Sequence, residues 1–220
     1  MSKVLRDNGL TIALIVLFLG SLIGHFLTGW HVQNEQLRQH GEAAISLGQY
    51  AVDPHFISTV FENWESEFLQ MSAYVVLTAF LFQKGSAESK DPDDGPRDGD
   101  LAQQALRSDA PRILRRTAVA RWIYSRSLGL ALFALFLISF TAHWLASARE
   151  AAAEANSHGQ VALSAWEYLG DPQLWFESFQ NWQSEFLSTA VLVVLSIFLR
   201  QRESPESKAV AAPHSQTGAD

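Results

Sequence analysis

A nine-residue pattern, F-x-N-W-x-S-E-F-L, occurs twice in the chain, at 61–69 and at 179–187. The match extends well beyond the pattern, because residues 17–90 align with residues 135–208 without a gap at roughly 40 per cent identity. A gapless internal match of this length indicates a tandem duplication. Each copy of the pattern opens an apolar run, so whatever one copy folds into, the other copy should fold into as well.

Four apolar runs predict membrane-spanning helices. The runs at 10–27 and 128–142 contain no charged residue, and the runs at 68–82 and 186–199 are shorter. A helix rises 1.5 Å per residue, so about twenty residues are needed to cross a hydrocarbon core of about 30 Å. The two shorter runs reach that length only when their polar ends are included as interfacial flanks.

The first apolar run follows Lys3 and Arg6 and therefore invites interpretation as a cleavable signal peptide. No small-x-small cleavage site follows the run, and the equivalent segment returns at 128–145, deep in the chain. We therefore expect the first run to remain in the protein as a membrane helix.

The predicted fold is an all-α membrane protein. Its four transmembrane helices form two tandem, parallel-oriented helical-hairpin repeats, with short extracytoplasmic interfacial helices between the helices of each pair. Of the 16 Lys and Arg residues, only Arg38 and Arg149 lie in those intervening segments. The positive-inside rule then places both termini and the central linker in the cytoplasm. The expected symmetry is a pseudo-two-fold axis along the membrane normal.

The predicted organisation has five parts, which differ in charge and polarity. Residues 1–84 form the first two-helix membrane repeat, 85–110 a disordered cytoplasmic linker, 111–127 a basic amphipathic helix, 128–202 the second two-helix repeat and 203–220 a disordered tail. Disorder is expected where the sequence is polar and too poor in apolar residues to form a core.

The predicted amphipathic helix combines an apolar face with five positive charges and no acidic residue. Such a helix suits the surface of an anionic leaflet, which makes the lipid bilayer and anionic lipid at the cytoplasmic face the expected partners. A protein partner for the same helix is the alternative. The basic residues are Arg112, Arg115, Arg116, Arg121 and Arg126.

One duplicated set of ionisable residues is the candidate intramembrane polar site. The set consists of His25, His143, Glu67 and Glu185. The helical rise places all four at a similar depth in the outer half of the bilayer. Two imidazoles and two carboxylates could bind a divalent metal or pass a proton. The favoured interpretation is structural, with the imidazoles hydrogen-bonded to neighbouring helices and the carboxylates stabilised by helix N-termini, and no cofactor is expected.

Two further repeated features have structural and functional interpretations. The tryptophans of the motif are expected to anchor the chain at the membrane boundary, and its Asn and Ser residues to cap helices, although a ligand could stack on the indoles. Each His-Gly pair, His40-Gly41 and His158-Gly159, predicts a helix break, with metal binding as the alternative. The interfacial motif residues are Asn63, Trp64, Ser66, Asn181, Trp182 and Ser184. Ahead of the motif, Asp53-Pro54, which recurs as Asp171-Pro172, predicts a turn and a helix start.

Composition and motifs narrow the possible functions. The chain has no cysteine, which excludes disulfides and thiolate chemistry, and its net charge of −7 argues against a nucleic-acid partner. The sequence contains no G-x-S-x-G motif of hydrolases, no H-E-x-x-H zinc-protease motif, no Walker loop and no dinucleotide-binding motif. An enzyme is therefore not expected. We expect a non-enzymatic structural or interaction component of the envelope, whose outer segments face a membrane or envelope protein partner. The alternatives are a small ion or proton transporter or channel, and a membrane metal-binding protein.

A polar stripe distinguishes the packing hypothesis from the transport hypothesis. In the second helix of the first repeat, Glu67, Gln70, Tyr74 and Thr78 lie on one face at helical spacing. A transport route would need this stripe and its counterpart to cross the membrane. Leu192 interrupts the counterpart, which weakens the transport hypothesis.

The duplicated motif, with Asp-Pro ahead of it and a His in the preceding helix, resembles a family of small bacterial membrane proteins catalogued as a domain of unknown function. The resemblance covers nearly the whole chain apart from the linker and tails. It implies a multi-pass protein of the bacterial inner membrane and transfers no activity.

Overall fold

The computed structural model describes residues 3–95 and 97–218, and this part of the chain is helical with no β-strand. The all-α class predicted from the sequence is confirmed. The four long helices are α1 (Lys3–Gln39), α3 (Pro54–Phe80), α6 (Ser127–Ser157) and α8 (Pro172–Phe198). By length and composition, α1 and α6 could cross a membrane, whereas α3 and α8 are less apolar over a full span. Two such helices are consistent with association with a membrane.

The short helices complete the order of elements. They are α2 (Leu47–Tyr50), α4 (Leu101–Gln104), a 3-10 helix (Arg112–Arg115), α5 (Ala118–Ser125) and α7 (Ala165–Tyr168). Equivalent helices have the same bounds in the two halves of the chain. The start and the end of α3 lie 118 residues before those of α8, and the same offset separates α2 from α7 and the end of α1 from the end of α6.

Contacts group the chain into two compact units. The first unit comprises Met1–Val60 and His143–Ala165, and the second comprises Phe61–Ala142 and Trp166–Asp220. The first unit contains α1, α2, the first residues of α3 and the second half of α6. The second unit contains the rest of α3, the first half of α6, α4, α5, nearly all of α7 and α8.

Both His-Gly pairs end a long helix, as the sequence predicted. Gly41 has a φ of 75°, and the N–H of Glu42 donates to the carbonyl of Leu37 at 2.8 Å. Gly159 has a φ of 66° and the same type of hydrogen bond follows it. A positive φ costs glycine little, and this bond satisfies a carbonyl that the helix end would otherwise leave without a partner.

Each of α3 and α8 begins at a proline that follows a capping aspartate. The Asp53 carboxylate accepts a hydrogen bond from the N–H of His55 at 3.0 Å, and the Asp171 carboxylate accepts one from the N–H of Gln173 at 2.8 Å. Proline suits the first position of a helix, because an N–H at that position would have no acceptor within the helix. The predicted Asp-Pro helix starts are confirmed.

The predicted new helix start within the repeated motif is wrong, because α3 and α8 run through the motif without interruption. Asn63 and Ser66 therefore lie inside α3 rather than at a cap, and the Ser66 hydroxyl donates to the carbonyl of Asn63 at 2.8 Å. Ser184 makes the same bond to the carbonyl of Asn181 at 2.8 Å. A hydroxyl that donates to a carbonyl of its own helix has a hydrogen-bond partner, and it does not end the helix.

The basic segment predicted as one helix at 111–127 is divided into the 3-10 helix and α5. Arg116 is extended between them, with φ −86° and ψ −159°. The hydroxyl of Thr117 accepts a hydrogen bond from the N–H of Ala120 at 3.2 Å and so caps α5. A threonine that caps a helix must itself adopt a non-helical backbone, which explains the break.

The polar segments that follow α3 and α8 have defined turns where the sequence predicted disorder for 85–110 and 203–220. We call residues 83–90 the first hook and residues 201–208 the second hook. In the first hook, the Ser89 hydroxyl accepts a hydrogen bond from the N–H of Gln83 at 2.9 Å. Ser207 accepts the equivalent bond from Gln201 at the same distance. These serine side chains replace the backbone partners that a short polar segment lacks. Pro96, Ala219 and Asp220 lie outside the described residues.

One lysine connects the tail to the first hook. Lys208 is only 1% exposed, and its ammonium group donates to the carbonyls of Gly85 at 2.5 Å, His214 at 3.1 Å and Gln216 at 2.9 Å. Removal of the ammonium group from water lowers the pKa of Lys208, and the positive charge of Arg200 lowers it further. The carbonyl oxygens compensate for part of the lost hydration, so Lys208 holds the tail in place.

Candidate functional site: a polar seam between α3 and α8

The most deeply buried carboxylate of the second unit belongs to Glu65 on α3, whose side chain is fully buried. One of its oxygens accepts hydrogen bonds from the hydroxyl of Ser178 at 2.8 Å and from the indole N–H of Trp182 at 3.2 Å. Both donors lie on α8. Burial of a carboxylate is costly unless hydrogen bonds compensate it, so these contacts fix the position of α3 against α8.

A second acidic side chain lies one helical turn before Glu65. The side-chain amide of Asn181 donates to the carboxylate of Glu62 and also to the carbonyl of Glu177 at 3.1 Å. The positions equivalent to Glu62 and Glu65 in the second half of the chain are Gln180 and Gln183. The acidic acceptors are therefore confined to the first half, and the contacts between the helices are asymmetric.

Polar contacts continue along α8, first with α3 and then with the first hook. The side-chain amide of Gln70 donates to the hydroxyl of Thr189, and the hydroxyls of Ser86 and Ser196 are 2.8 Å apart. We call this set the polar seam. It comprises Glu62, Glu65, Gln70 and Ser86 on the first side, and Ser178, Asn181, Trp182, Thr189 and Ser196 on α8.

Aromatic side chains enclose one side of the polar seam. The Trp182 ring packs against Trp175, Phe179 and Phe136, with centroid separations of 6.5, 5.3 and 6.2 Å. Such separations are typical of favourable aromatic contacts. The indole of Trp182 therefore contributes to packing and donates to Glu65, a role that the predicted function as an interfacial anchor did not include.

The C-terminal part of the polar stripe meets the first hook. The hydroxyl of Tyr74 donates to one carboxylate oxygen of Glu88 at 3.0 Å, and the other oxygen is buried with no hydrogen-bond partner among the described residues. Burial raises the pKa of Glu88, and the nearby carboxylate of Glu206 raises it further, whereas the Tyr74 bond lowers it. Glu88 and Glu206 occupy equivalent positions in the two hooks.

In the first unit, His25 contacts the beginning of α3. Its Nε2 lies 3.2 Å from the hydroxyl of Thr59, and its ring centroid lies 5.5 Å from that of Phe56. These contacts give His25 a role in holding α1 against α3.

An aromatic cluster fixes α2 to the same two helices. Tyr50 is fully buried between Phe26 and Phe56, with ring centroids 5.5 and 5.2 Å away. Its hydroxyl lies directly against Gly29 and has no hydrogen-bond partner among the described residues. Burial raises the pKa of Tyr50, so this hydroxyl remains protonated in the physiological range.

Two polar contacts connect α3 to the C-terminal half of α6 within the first unit. His55 Nδ1 lies 2.8 Å from a carboxylate oxygen of Glu150, and the hydroxyls of Ser58 and Ser147 are 2.5 Å apart. The hydrogen bond to Glu150 raises the pKa of His55 despite the opposing effect of burial. His55 therefore carries a positive charge at a higher pH than an ordinary histidine.

The predicted site residues differ in their surroundings. His143 is fully buried, Glu185 is half-buried and Glu67 is exposed. The carboxylates of Glu67 and Glu185 are close enough to interact electrostatically. Among the described residues, no group of three or more His, Asp or Glu side chains is arranged to hold a metal ion. The metal hypothesis thus gains no support from a ligand cluster, and the proton hypothesis for this set stays a prediction.

Glu67 and Glu185 were selected as candidate site residues because the two halves of the chain are identical at that position. The fully buried carboxylate belongs instead to Glu65, and the equivalent residue in the second half is a glutamine. A different signal was present in the sequence. Ser58, Glu62, Glu65 and Ser72 recur at helical spacing and define a polar face on α3. All four are buried or half-buried, as an inward-facing polar stripe would be.

Both histidines of the His-Gly pairs bond to their own helices. His40 Nδ1 lies 2.9 Å from the carbonyl of Gln36, and His158 Nδ1 lies 3.0 Å from the carbonyl of Glu154. These contacts satisfy carbonyls in the last helical turn, where partners are otherwise scarce. They support the helix-end interpretation over the metal-binding one.

The basic segment has one shallow cavity, of about 440 Å³, lined by Leu106, Leu114, Arg115 and Arg121 together with two alanines. The guanidinium of Arg115 donates to the carbonyls of Ala105 at 3.1 Å and Arg107 at 2.8 Å, and that of Arg121 donates to the carbonyl of Arg116 at 3.1 Å. These two arginines therefore stabilise the segment itself.

One comparison with known proteins agrees with the expected membership of a domain of unknown function. Neither the curated proteins nor the solved structures provide a match to the chain. The family described as Domain of unknown function (DUF6766) matches residues 1–219, and the chain therefore belongs to this family.

Proposed function

We propose that the protein is a multi-pass protein of the bacterial inner membrane in which α1, α3, α6 and α8 each cross the bilayer. The equal bounds of equivalent helices support two tandem hairpin repeats. α3 and α8 have 27 residues each. At the helical rise this is about 40 Å, longer than a hydrocarbon core of about 30 Å. The last twenty residues of each helix, 61–80 in α3 and 179–198 in α8, are long enough to cross the core, and the preceding turns lie at the outer interface.

The distribution of Lys and Arg supports an orientation with both termini and the central linker in the cytoplasm. The absence of cysteine allows a clean test by single-cysteine labelling. Cysteine placed at Glu42 or Val161 should react with a membrane-impermeant maleimide in intact spheroplasts. Cysteine placed at Asp94 or Ser215, both exposed, should react only after permeabilisation. Labelling of all four positions before permeabilisation, in spheroplasts shown to be intact, would refute the topology.

We further propose a non-enzymatic role as a structural or interaction component of the cell envelope. The observation that carries this proposal is the polar seam, whose side chains bond to one another between α3 and the first hook on one side and α8 on the other. Side chains used in this way hold helices together. The outer segments expose apolar residues, including Val52 and Val161, and are the proposed surface for a membrane or envelope protein partner.

Reconstitution into liposomes tests this role. Purified protein should give no proton flux after an acid pulse, as measured with an internal pH-sensitive dye. The substitution Glu65→Gln should lower the unfolding temperature in detergent, because it replaces the acceptor of two hydrogen bonds with a weaker one. Unchanged stability in Glu65→Gln would contradict a packing role for the polar seam.

The burial of Glu65 also favours a second candidate function, proton transfer along the polar seam. Glu65 lies toward one end of the proposed span, and Tyr74 and Glu88 lie at the other. Buried ionisable residues in membrane helices frequently mark proton pathways. Under this hypothesis the same liposomes show a proton flux that Glu65→Gln abolishes and that Ser184→Ala leaves unchanged. Flux that survives Glu65→Gln would exclude this route.

A further inference from the structure

One face of α5 is apolar and uncovered. Val119, Trp122 and Ile123 lie at positions i, i+3 and i+4 of the helix, and they are 67%, 52% and 48% exposed. This spacing places the three side chains on one side of the helix. The opposite side carries Arg121, which lines the cavity of the basic segment. The fold therefore leaves the apolar face of α5 available to an external surface.

The five arginines of this segment differ in their contacts. Arg115 and Arg121 donate to backbone carbonyls and stabilise the segment. The side chains of Arg112 and Arg116 make no hydrogen bond or ion pair within the part of the chain that the structure describes, and both are exposed. Arg126 lies over the Trp122 ring, 4.8 Å from its centroid, at the end of the apolar face.

The position of α5 in the chain limits what can cover its apolar face. α5 ends at Ser125 and α6 begins at Ser127, with only Arg126 between them. The N–H of Leu130 donates to the carbonyl of Arg126 at 3.0 Å, which ties the junction to the first turn of α6. Because the proposed function has α6 crossing the bilayer, α5 must lie at the edge of the membrane.

We propose that α5 docks on the headgroup layer of an anionic phospholipid leaflet, an inference that rests on the proposed membrane topology. Val119, Trp122 and Ile123 enter the boundary between headgroups and acyl chains, and Arg112, Arg116 and Arg126 bind lipid phosphates. Residues 111–127 include five arginines and no acidic residue, which makes the segment complementary to an anionic surface. A tryptophan stacked with an arginine suits this interface, because both side chains have an apolar body and a polar end.

Fluorescence of the full-length protein in nanodiscs tests the docking. The variant Ile123→Cys, labelled with an environment-sensitive dye, is compared in nanodiscs of phosphatidylcholine alone and in nanodiscs that also contain phosphatidylglycerol. The expected result is a blue shift and quenching by a lipid-attached quencher in the anionic nanodiscs. Combining the label with Arg112→Gln, Arg116→Gln and Arg126→Gln should weaken docking by roughly fivefold per arginine.

A charge-matched control isolates the proposed arginines. The combination of Lys84→Gln, Arg97→Gln and Arg202→Gln removes the same charge from exposed positions elsewhere and should leave docking unchanged. An equal loss in this control would overturn the proposal, because the effect would then depend on net charge alone. A label that stays in water in both lipids, or that is protected equally in both, would also overturn it, the second result pointing to a protein surface or a second copy as the occupant.

A second label distinguishes a failure of the docking proposal from a failure of the proposed membrane topology. Leu14 lies on α1 and is 56% exposed, so a dye on Leu14→Cys should contact lipid in both nanodiscs if α1 crosses the membrane. Quenching at Leu14 without quenching at Ile123 refutes the docking of α5 alone. Absence of quenching at both positions refutes the proposed membrane topology together with the docking.

Discussion

The carboxylate of Glu65 accepts a hydrogen bond at 2.8 Å from the hydroxyl of Ser178, a residue 113 positions later in the chain. Both side chains are fully buried. Substitution Ser178→Ala should therefore lower the free energy of unfolding by about 1–3 kcal/mol, because a buried carboxylate loses one of its donors. Thermal or denaturant unfolding in detergent measures the change.

The matched control for this substitution is Ser184→Ala. Ser184 lies on the same helix, is exposed and bonds only to the carbonyl of Asn181 in its own helix. Its replacement should change stability by less than about 0.5 kcal/mol. Equal effects at the two serines would show that the contact with Glu65 contributes nothing specific.

Tyr50 and Gly29 form a second pair that can be tested. A Cβ atom added at Gly29 would overlap the Tyr50 hydroxyl, so Gly29→Ala should cost about 1–3 kcal/mol of stability. Tyr50→Phe should be neutral or stabilising by about 1 kcal/mol, because it removes a buried hydroxyl that has no partner. The double variant should lose less than Gly29→Ala alone, since the overlapping atom is absent.

Gly24→Ala provides the control for this cycle, because a Cβ atom at Gly24 meets no atom within 4 Å. This substitution should be neutral or slightly stabilising, as expected for glycine to alanine within a helix. Additive effects of Gly29→Ala and Tyr50→Phe in unfolding experiments would disprove the steric relationship between the two residues.

The pair of His55 and Glu150 should make stability depend on pH. The folded-state pKa of His55 is raised, so its stabilising contribution is complete below the unfolded pKa of about 6.5 and is lost as pH rises through the folded pKa. The pair is partly exposed, so the loss should not exceed about 1 kcal/mol. Unfolding midpoints measured from about pH 5.5 to about pH 8.5 give the profile.

The variant His55→Gln should flatten this part of the pH profile. Glutamine occupies the equivalent position in the second half of the chain, at Gln173, where it follows the same Asp-Pro start, so the helix tolerates it. A profile that keeps its slope in His55→Gln would assign the pH dependence to another group.

Glu88 should give the first hook a pH dependence of its own. Its folded-state pKa is raised, so protonation favours the packed first hook, and this contribution is lost as pH rises through that pKa. Amide hydrogen exchange of residues 83–90, corrected for intrinsic rates, should be slower near pH 5 than near pH 8. The substitution Glu88→Gln should remove that difference, because its side chain does not ionise.

Lys208→Met should release the tail from the first hook. The substitution removes the donor from several backbone carbonyls, and amide exchange of residues 209–217 should rise by roughly 10- to 100-fold. Lys90 is the equivalent lysine of the first hook, is exposed and bonds to the carbonyl of Ala79 at 2.6 Å. Lys90→Met should affect only the last turn of α3, and equal effects from both lysines would contradict a special role for Lys208.

Local chemistry made part of this fold predictable from the sequence. The two His-Gly helix ends and the two Asp-Pro helix starts depend on residues within a few positions of each other, and both predictions are confirmed. The continuity of α3 through Asn63 was not predicted, because Asn and Ser favour caps in isolation and only their surroundings in the helix decide otherwise. Propensity is a weak guide where tertiary contacts compete with it.

The polar seam could not be predicted from the sequence for a different reason. The donors to Glu65 lie more than a hundred residues away, and no local rule connects Glu65 to Ser178. Comparison of the two halves favoured positions that are identical in both, whereas this contact depends on a difference between them. The hooks were not predicted because polar segments with few apolar residues favour disorder in a sequence-based interpretation. Their serine bonds are local, and only the bond from Lys208 to Gly85 joins distant segments.

The asymmetry of the polar seam has a consequence for assembly from separate chains. The position equivalent to Ser178 in the first half is Val60, and the position equivalent to Glu65 in the second half is Gln183. Two copies of the first half would bring a carboxylate to an isopropyl group, and two copies of the second would lack the carboxylate. If the halves are expressed as separate polypeptides, each should therefore pair preferentially with the other half rather than with a second copy of itself. Because one chain contains one copy of each half, covalent linkage supplies the two halves in the equal amounts that this pairing needs.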